Sequence, residues 1–68
     1  AQTEEQNYLM EAILSLPAKY RIVIHLFYYE GYTTKEIAEI TEQKESTVRS
    51  LLTRARHKLK SFIEEELL

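Results

Sequence analysis

The sequence predicts an all-α domain of four helices, without a β-wing, that ends in a helix-turn-helix. The chain has one Gly and one Pro in 68 residues and is rich in Glu, Leu, Ile, Lys and Ala, which favour helices. Apolar residues recur at steps of three and four along most of it, as they do on one face of a helix. At this length residues 1–68 form one small domain, with the helix-turn-helix at about residues 33–56.

The first predicted helix begins after Thr3. Thr3 and Gln6 have the spacing of a capping box, in which each residue satisfies the other's backbone N–H. Pro17 ends this helix but fits the first turn of the next one. The predicted inward stripe comprises Leu9, Met10, Ile13 and Leu14.

The second predicted helix runs to about Tyr29 and is the most buried element, because its apolar stripe is broad. Gly31 is the only glycine, and it stands where a left-handed residue would stop this helix. The stripe consists of Leu16, Tyr20, Ile22, Val23, Ile24, Leu26 and Phe27.

The third and fourth predicted helices form the helix-turn-helix. The third begins after Thr33, which makes a capping box with Glu36. A polar turn over residues 42–44 follows, and the fourth helix runs from near Glu45 to about Glu65. The residues predicted to face inward are Ile37, Ala38 and Ile40 on the third helix and Val48, Leu52, Ala55, Leu59 and Phe62 on the fourth.

The formal net charge of −2 hides an uneven distribution of charge. Residues 1–42 contain seven acidic and three basic residues, whereas residues 43–61 contain six basic residues and one acidic residue. Clustered positive charge is typical of a surface that binds phosphates, although a solvated basic helix without a partner would have the same composition.

The fourth helix has the properties of a DNA-recognition helix. Its first two turns carry polar side chains that can reach base edges, and Arg49 could donate two hydrogen bonds to a guanine. Arginines further along, and Lys35 with the amides at the start of the third helix, are expected to meet phosphates. The candidate DNA-binding residues are Thr33, Lys35, Lys44, Ser46, Thr47, Arg49, Ser50, Thr53, Arg54 and Arg56.

Three stretches of the chain form a specific combination of motifs: LPAKYRIV from Leu16, YEGYTTKEIA from Tyr29 and TVRSLLTRARHKL from Thr47. Together they resemble region 4 of bacterial sigma factors, and most closely the extracytoplasmic-function group. The resemblance implies a domain that reads the promoter −35 element, with an AAC-like motif in many members, and that docks on the flap of the RNA polymerase β subunit. By the resemblance, the family positions that face DNA correspond in this chain to Arg49, Ser50, Thr53 and Arg54.

The chain departs from the family pattern near the turn. Glu42 and Gln43 stand where members often have a Gly and an apolar residue, and Lys44 is a poor helix cap. Leu51 replaces a frequent Arg or Lys, which predicts one phosphate contact fewer and an exposed apolar side chain.

Two other functions remain open from the sequence. The chain could be a protein-interaction module that binds polymerase or an anti-sigma factor and has little affinity for DNA. It could also be a stand-alone helix-turn-helix regulator, which would have to dimerise. We expect instead a monomeric, cytoplasmic domain, cut from a longer sigma factor because it starts at Ala1.

Catalysis, cofactors and metals are not expected. No set of nucleophile, base and orienting residue can be assembled, and the chain has no cysteine. His25 and His57 lack ligand partners at metal-site spacing. No apolar run approaches the length of a membrane span.

Overall fold

The computed structural model describes the backbone of residues 4–67 and the side chains of residues 8–62. This part of the chain is all helical, as predicted. Its elements are α1 (Glu4–Ser15), α2 (Ala18–Ile24) with a π-helical continuation (His25–Tyr29), α3 (Thr34–Thr41) and α4 (Glu45–Leu67). The capping box predicted for Thr3 and Gln6 lies outside the described residues. None of the described helices is long and apolar enough to cross a bilayer.

The long helix α4 is the centre of the domain, because α1, α2 and α3 all pack against it. Val23, Ile37 and Val48 have no solvent exposure, so one residue from each of three helices meets at the middle of the core. The other buried apolar residues are Ala12, Ile13, Leu16, Tyr20, Ile24, Ala38, Leu51, Leu52 and Ala55.

The prediction that Leu51 is exposed is wrong, because this side chain is buried in the core with only 7% exposure. Successive helical residues are separated by roughly 100° around the axis, so Leu51 lies beside Val48 and Ala55 on the inner face. The core-facing stripe of α4 is therefore one residue wider than the predicted stripe.

Five residues that were predicted to face inward are exposed, at 39%, 37%, 59%, 48% and 51% in chain order: Leu9, Met10, Leu14, Ile22 and Ile40. On α3 the buried arc passes through Ile37 and Ala38, and Ile40 lies roughly 100° from its centre. On α1 the buried residues are Ala12 and Ile13, so Leu14 is turned away from the core.

The end of the second helix is wider than an α-helix. The Glu30 N–H donates to the His25 carbonyl oxygen at 3.1 Å, and the Tyr32 N–H donates to the Leu26 oxygen at 3.0 Å. Gly31 has φ +78°, which confirms the predicted left-handed stop. Pro17 lies at the N-cap of α2, one residue before its predicted place.

Candidate nucleic-acid interface

The exposed face of α4 brings half of the predicted DNA-binding residues together. The four-residue steps from Ser46 to Ser50 and from Arg49 to Thr53 keep these residues on one side of the helix. All the residues in this group are exposed. Together they line one shallow depression, which we call the α4 face: Ser46, Arg49, Ser50, Thr53 and Arg54.

Thr53 shows how this face is prepared for a partner. Its hydroxyl donates to the Arg49 carbonyl oxygen at 3.0 Å, a local bond that fixes the threonine rotamer. The hydroxyl hydrogen is therefore occupied, while the oxygen lone pairs and the γ-methyl group remain. Those two groups suit a base-edge donor and a thymine methyl.

The turn before α4 is made by a left-handed residue. Glu42 has φ 55° and ψ 45°. Its N–H donates to the Glu39 oxygen at 3.4 Å, and the Gln43 N–H donates to the Ala38 oxygen at 2.9 Å. These two bonds form a Schellman motif, which ends α3 and sets the direction of the chain into α4. Lys44 is exposed in this turn, and its carbonyl oxygen accepts from the Thr47 and Val48 N–H groups.

Glu45 joins the first turns of α3 and α4. Its Oε2 atom accepts from the Thr34 hydroxyl at 2.7 Å and lies 3.4 Å from Nη1 of Arg49. The sequence alone does not reveal both of these contacts. The four-residue spacing of Glu45 and Arg49 can be read from the sequence, but the Thr34 bond crosses the turn and needs the tertiary structure.

The start of α3 has the predicted capping box. The Thr33 hydroxyl oxygen accepts from the Glu36 N–H at 3.1 Å, and the Thr33 N–H donates to the Glu36 carboxylate at 2.9 Å. Hydrogen bonds to the Glu36 carboxylate from the Thr33 backbone N–H, and secondly from the Thr33 hydroxyl, hold the pKa of Glu36 below its ordinary value. Thr33 and Lys35 are both exposed here, near the positive end of the helix dipole.

A comparison with protein families identifies this arrangement. The family model described as "Sigma-70, region 4" matches residues 6–59, which include α2, α3, the turn and the basic half of α4. The chain belongs to the sigma-70 region 4 family. Domains of this family bind promoter DNA at the −35 element as parts of sigma factors, and they are not enzymes.

Two of the predicted contact residues on α4 of this region 4 domain lie apart from the α4 face. Thr47 is exposed but does not line the depression. Arg56 is directed toward the second helix, where its Nε donates to the Tyr28 hydroxyl at 2.6 Å. Its guanidinium also lies over the rings of Phe27 and Tyr28, at 5.7 and 5.6 Å.

A second surface of the region 4 domain is an apolar groove of about 650 Å³. The exposed residues Leu14, Ile22 and Ile40 lie in its wall. Residues 45–62 of α4 do not line it, so the groove and the α4 face are separate surfaces. Among the described side chains, those that line the groove are Met10, Ile13, Leu14, Arg21, Ile22, His25, Leu26, Tyr29, Ile40 and Thr41.

Proposed function

We propose that this domain recognises the promoter −35 element with the α4 face, as part of a sigma factor that directs RNA polymerase to start transcription. One observation carries the proposal. Five residues with base-reading or phosphate-binding chemistry share a single exposed surface on the second helix of a helix-turn-helix.

Each residue of the α4 face has a role in this proposal. Arg49 reads a guanine through two parallel hydrogen bonds, and Ser50 and Thr53 contact neighbouring base edges. Arg54, at the margin of the face, binds a phosphate. Ser46 and Thr47 lie at the start of the helix, where they contact DNA beside the turn.

The elements before α4 supply the remaining phosphate contacts. Lys44 is exposed in the turn, and Lys35 is exposed in the first turn of α3. Thr33 is exposed at the N-cap of α3, where its hydroxyl can approach a phosphate oxygen. With Arg54, and with the exposed Lys58 and Lys60 further along α4, these contacts give about four to six phosphates, or a slope of about −4 to −5 for log affinity against log salt.

In the free domain the Arg49 side chain forms an ion pair with Glu45, which DNA would replace. The two side chains are 60% and 41% exposed, so the pair is solvated and contributes little to stability. Arg49 can therefore exchange Glu45 for a guanine at small cost. Meanwhile the Thr34 hydroxyl keeps Glu45 in place.

The apolar groove supplies the polymerase contact in this proposal. Its lining is almost wholly apolar and comes from α1, the second helix and α3. Such a groove fits the apolar side of an amphipathic helix, here one from the flap of the polymerase β subunit. Because residues 45–62 of α4 do not line the groove, DNA and polymerase can be bound at once.

The proposal is tested by fluorescence anisotropy with two duplexes, one with an AAC-type −35 element and one with the same bases scrambled. We expect Arg49→Ala to reduce the preference for the promoter duplex, because it removes a base contact worth about ten-fold in discrimination. We expect Arg54→Ala to weaken both complexes equally and to reduce the steepness of the salt slope by about 0.9. Affinity that does not change with salt would contradict the proposal.

A second candidate function is a protein-interaction module with little affinity for DNA, and the size of the apolar groove favours it. Its partner would be polymerase or an anti-sigma factor. A complex that forms without DNA and is unaffected by Arg49→Ala would support this function. A stand-alone regulator would instead form a stable dimer, which light scattering would detect.

A further inference from the structure

We propose that Arg56 is a positioning residue that fixes the orientation of the recognition helix through Tyr28, and that it is not a phosphate ligand. This inference rests on the proposed DNA-binding function, and it changes the role that the sequence suggests for Arg56. It also assigns a function to Tyr28, which the DNA-binding proposal leaves unused.

The guanidinium of Arg56 contacts two residues of the second helix. Its Nε atom donates to the Tyr28 hydroxyl at 2.6 Å, a short bond for a charged donor. The same guanidinium lies within cation–π distance of two rings, those of Phe27 and Tyr28. The two rings are themselves packed edge to face, with 5.0 Å between their centroids. One arginine is thus held by a hydrogen bond and two aromatic contacts.

Arg56 leaves α4 on a different side from Arg54. Arg54 and Arg56 are two positions apart, so their side chains point roughly 160° away from each other around the helix. Arg54 lines the α4 face. Arg56 does not line that face; it lines a small apolar pocket with Leu9, Tyr28 and Leu59, between the second helix, α1 and α4. It also borders a shallow depression that adjoins the α4 face at Thr53.

The π-helical segment positions the rings of Phe27 and Tyr28. Residues 25–29 widen the helix, and the Glu30 N–H closes a five-residue step to His25. A wider turn displaces the residues that follow it around the helix axis. Phe27 and Tyr28 lie inside this segment, so the irregular backbone decides where the partners of Arg56 stand.

A contact at this place can control how α4 enters DNA. The start of α4 is tied to α3 by the bond between Thr34 and Glu45. Arg56 makes the second polar tie, three turns later along the same helix. Two ties at separated points fix the direction of a helix better than one. Loss of the Arg56 tie should therefore misplace the base-reading residues without removing any of them.

The test measures the binding of single variants, one double variant and one control variant to promoter and scrambled duplexes. The single variants are Arg56→Ala, Arg56→Lys, Tyr28→Phe and Arg54→Ala. We expect Arg56→Ala and Tyr28→Phe each to reduce the promoter preference by about three- to ten-fold, while the salt slope stays unchanged. Arg56→Lys keeps the charge but not the planar donor, so it should not restore the preference. The double variant Arg56→Ala with Tyr28→Phe should be no worse than Arg56→Ala alone.

Tyr32→Phe is the matched control, because Tyr32 follows Gly31 and lies outside both the α4 face and the apolar groove. It should leave preference and slope unchanged. Any one of three results overturns the proposal. Arg56→Ala could reduce the steepness of the salt slope by about 0.9, Arg56→Lys could restore the promoter preference, or Tyr28→Phe could leave that preference unchanged. The first of these results would make Arg56 a phosphate ligand.

A measurement without DNA separates this inference from the proposed function. Residual dipolar couplings of backbone amides give the angle between α2 and α4 in each variant. We expect this angle to change in Tyr28→Phe and Arg56→Ala and to stay the same in Arg54→Ala. An unchanged angle in all variants would overturn the positioning role, whereas failure of the wild-type chain to prefer the promoter duplex would overturn only the proposed function.

Discussion

Glu42 is the residue whose backbone redirects the chain between α3 and α4. Its φ of 55° is in the left-handed region, where an L side chain is strained by roughly 1–2 kcal/mol. Both Schellman bonds depend on this conformation, so the chain keeps the turn in spite of the strain.

Glu42→Gly should raise the free energy of unfolding by about 0.5–1 kcal/mol. Glycine removes the left-handed strain, although part of the gain is lost to the greater freedom of glycine in the unfolded chain. Urea denaturation at constant pH measures the difference. Gln43→Gly is the control, since Gln43 has no positive φ and the same substitution there should only destabilise. A loss of stability in Glu42→Gly would contradict the strain argument.

At the scale of the helix, the start of α3 depends on a reciprocal cap between Thr33 and Glu36. The pKa of Glu36 is lowered by the Thr33 backbone bond and then by the Thr33 hydroxyl bond. A carboxyl group with a lowered folded pKa stabilises the folded state above its unfolded pKa. That contribution is lost as the pH falls through the folded pKa.

Glu36→Gln should therefore remove part of the acid sensitivity of the domain. The stability advantage of the wild type over Glu36→Gln should be constant above the ordinary pKa of 4.5 and should shrink as the pH falls below it. Thermal unfolding from about pH 7 to about pH 3 measures this difference. Glu39→Gln on the same helix is the control, and an equal response in both variants would refute the role of the cap.

The elements show which features a sequence can reveal. The Thr33–Glu36 cap and the Gly31 stop are local signals, because each depends on residues within one turn, and both were predicted. The burial of Leu51 depends instead on where α4 packs. The contacts between Arg56 and Tyr28 and between Thr34 and Glu45 join residues far apart in the chain, so no local pattern contains them.

At the scale of the whole molecule, stability depends on the face that α4 presents to the other helices. Leu51 belongs to this face, between Val48 and Ala55. The domain is small and only marginally stable, so a single cavity in this core removes a large fraction of its free energy of unfolding.

Leu51→Ala should lower the free energy of unfolding by about 2–3 kcal/mol, because it leaves a cavity in the core. Leu14→Ala is the matched control, since Leu14 is 59% exposed and the same truncation there should cost under about 0.5 kcal/mol. Urea denaturation of both variants gives the comparison. Equal losses would show that Leu51 is not a core residue.

The two candidate binding surfaces of the molecule, the α4 face and the apolar groove, lie on different helices. The basic α4 face lies on one helix, and the apolar groove is formed by the other three. A domain with this layout can connect promoter DNA to a protein partner while both remain bound. The overall charge of −2 gives no sign of this arrangement, because acidic residues elsewhere in the chain offset the cations of α4.

The most direct test of the central claim is an NMR titration of the 68-residue chain at low salt with a duplex containing an AAC-type −35 element and with its scrambled counterpart. We expect the largest amide shifts at residues 46–56, and we expect them to be larger with the promoter duplex than with the scrambled one, because the α4 face reads base edges. Shifts that are the same for both duplexes, or absent from α4, would contradict sequence recognition by this helix and would make the protein-interaction function the better account.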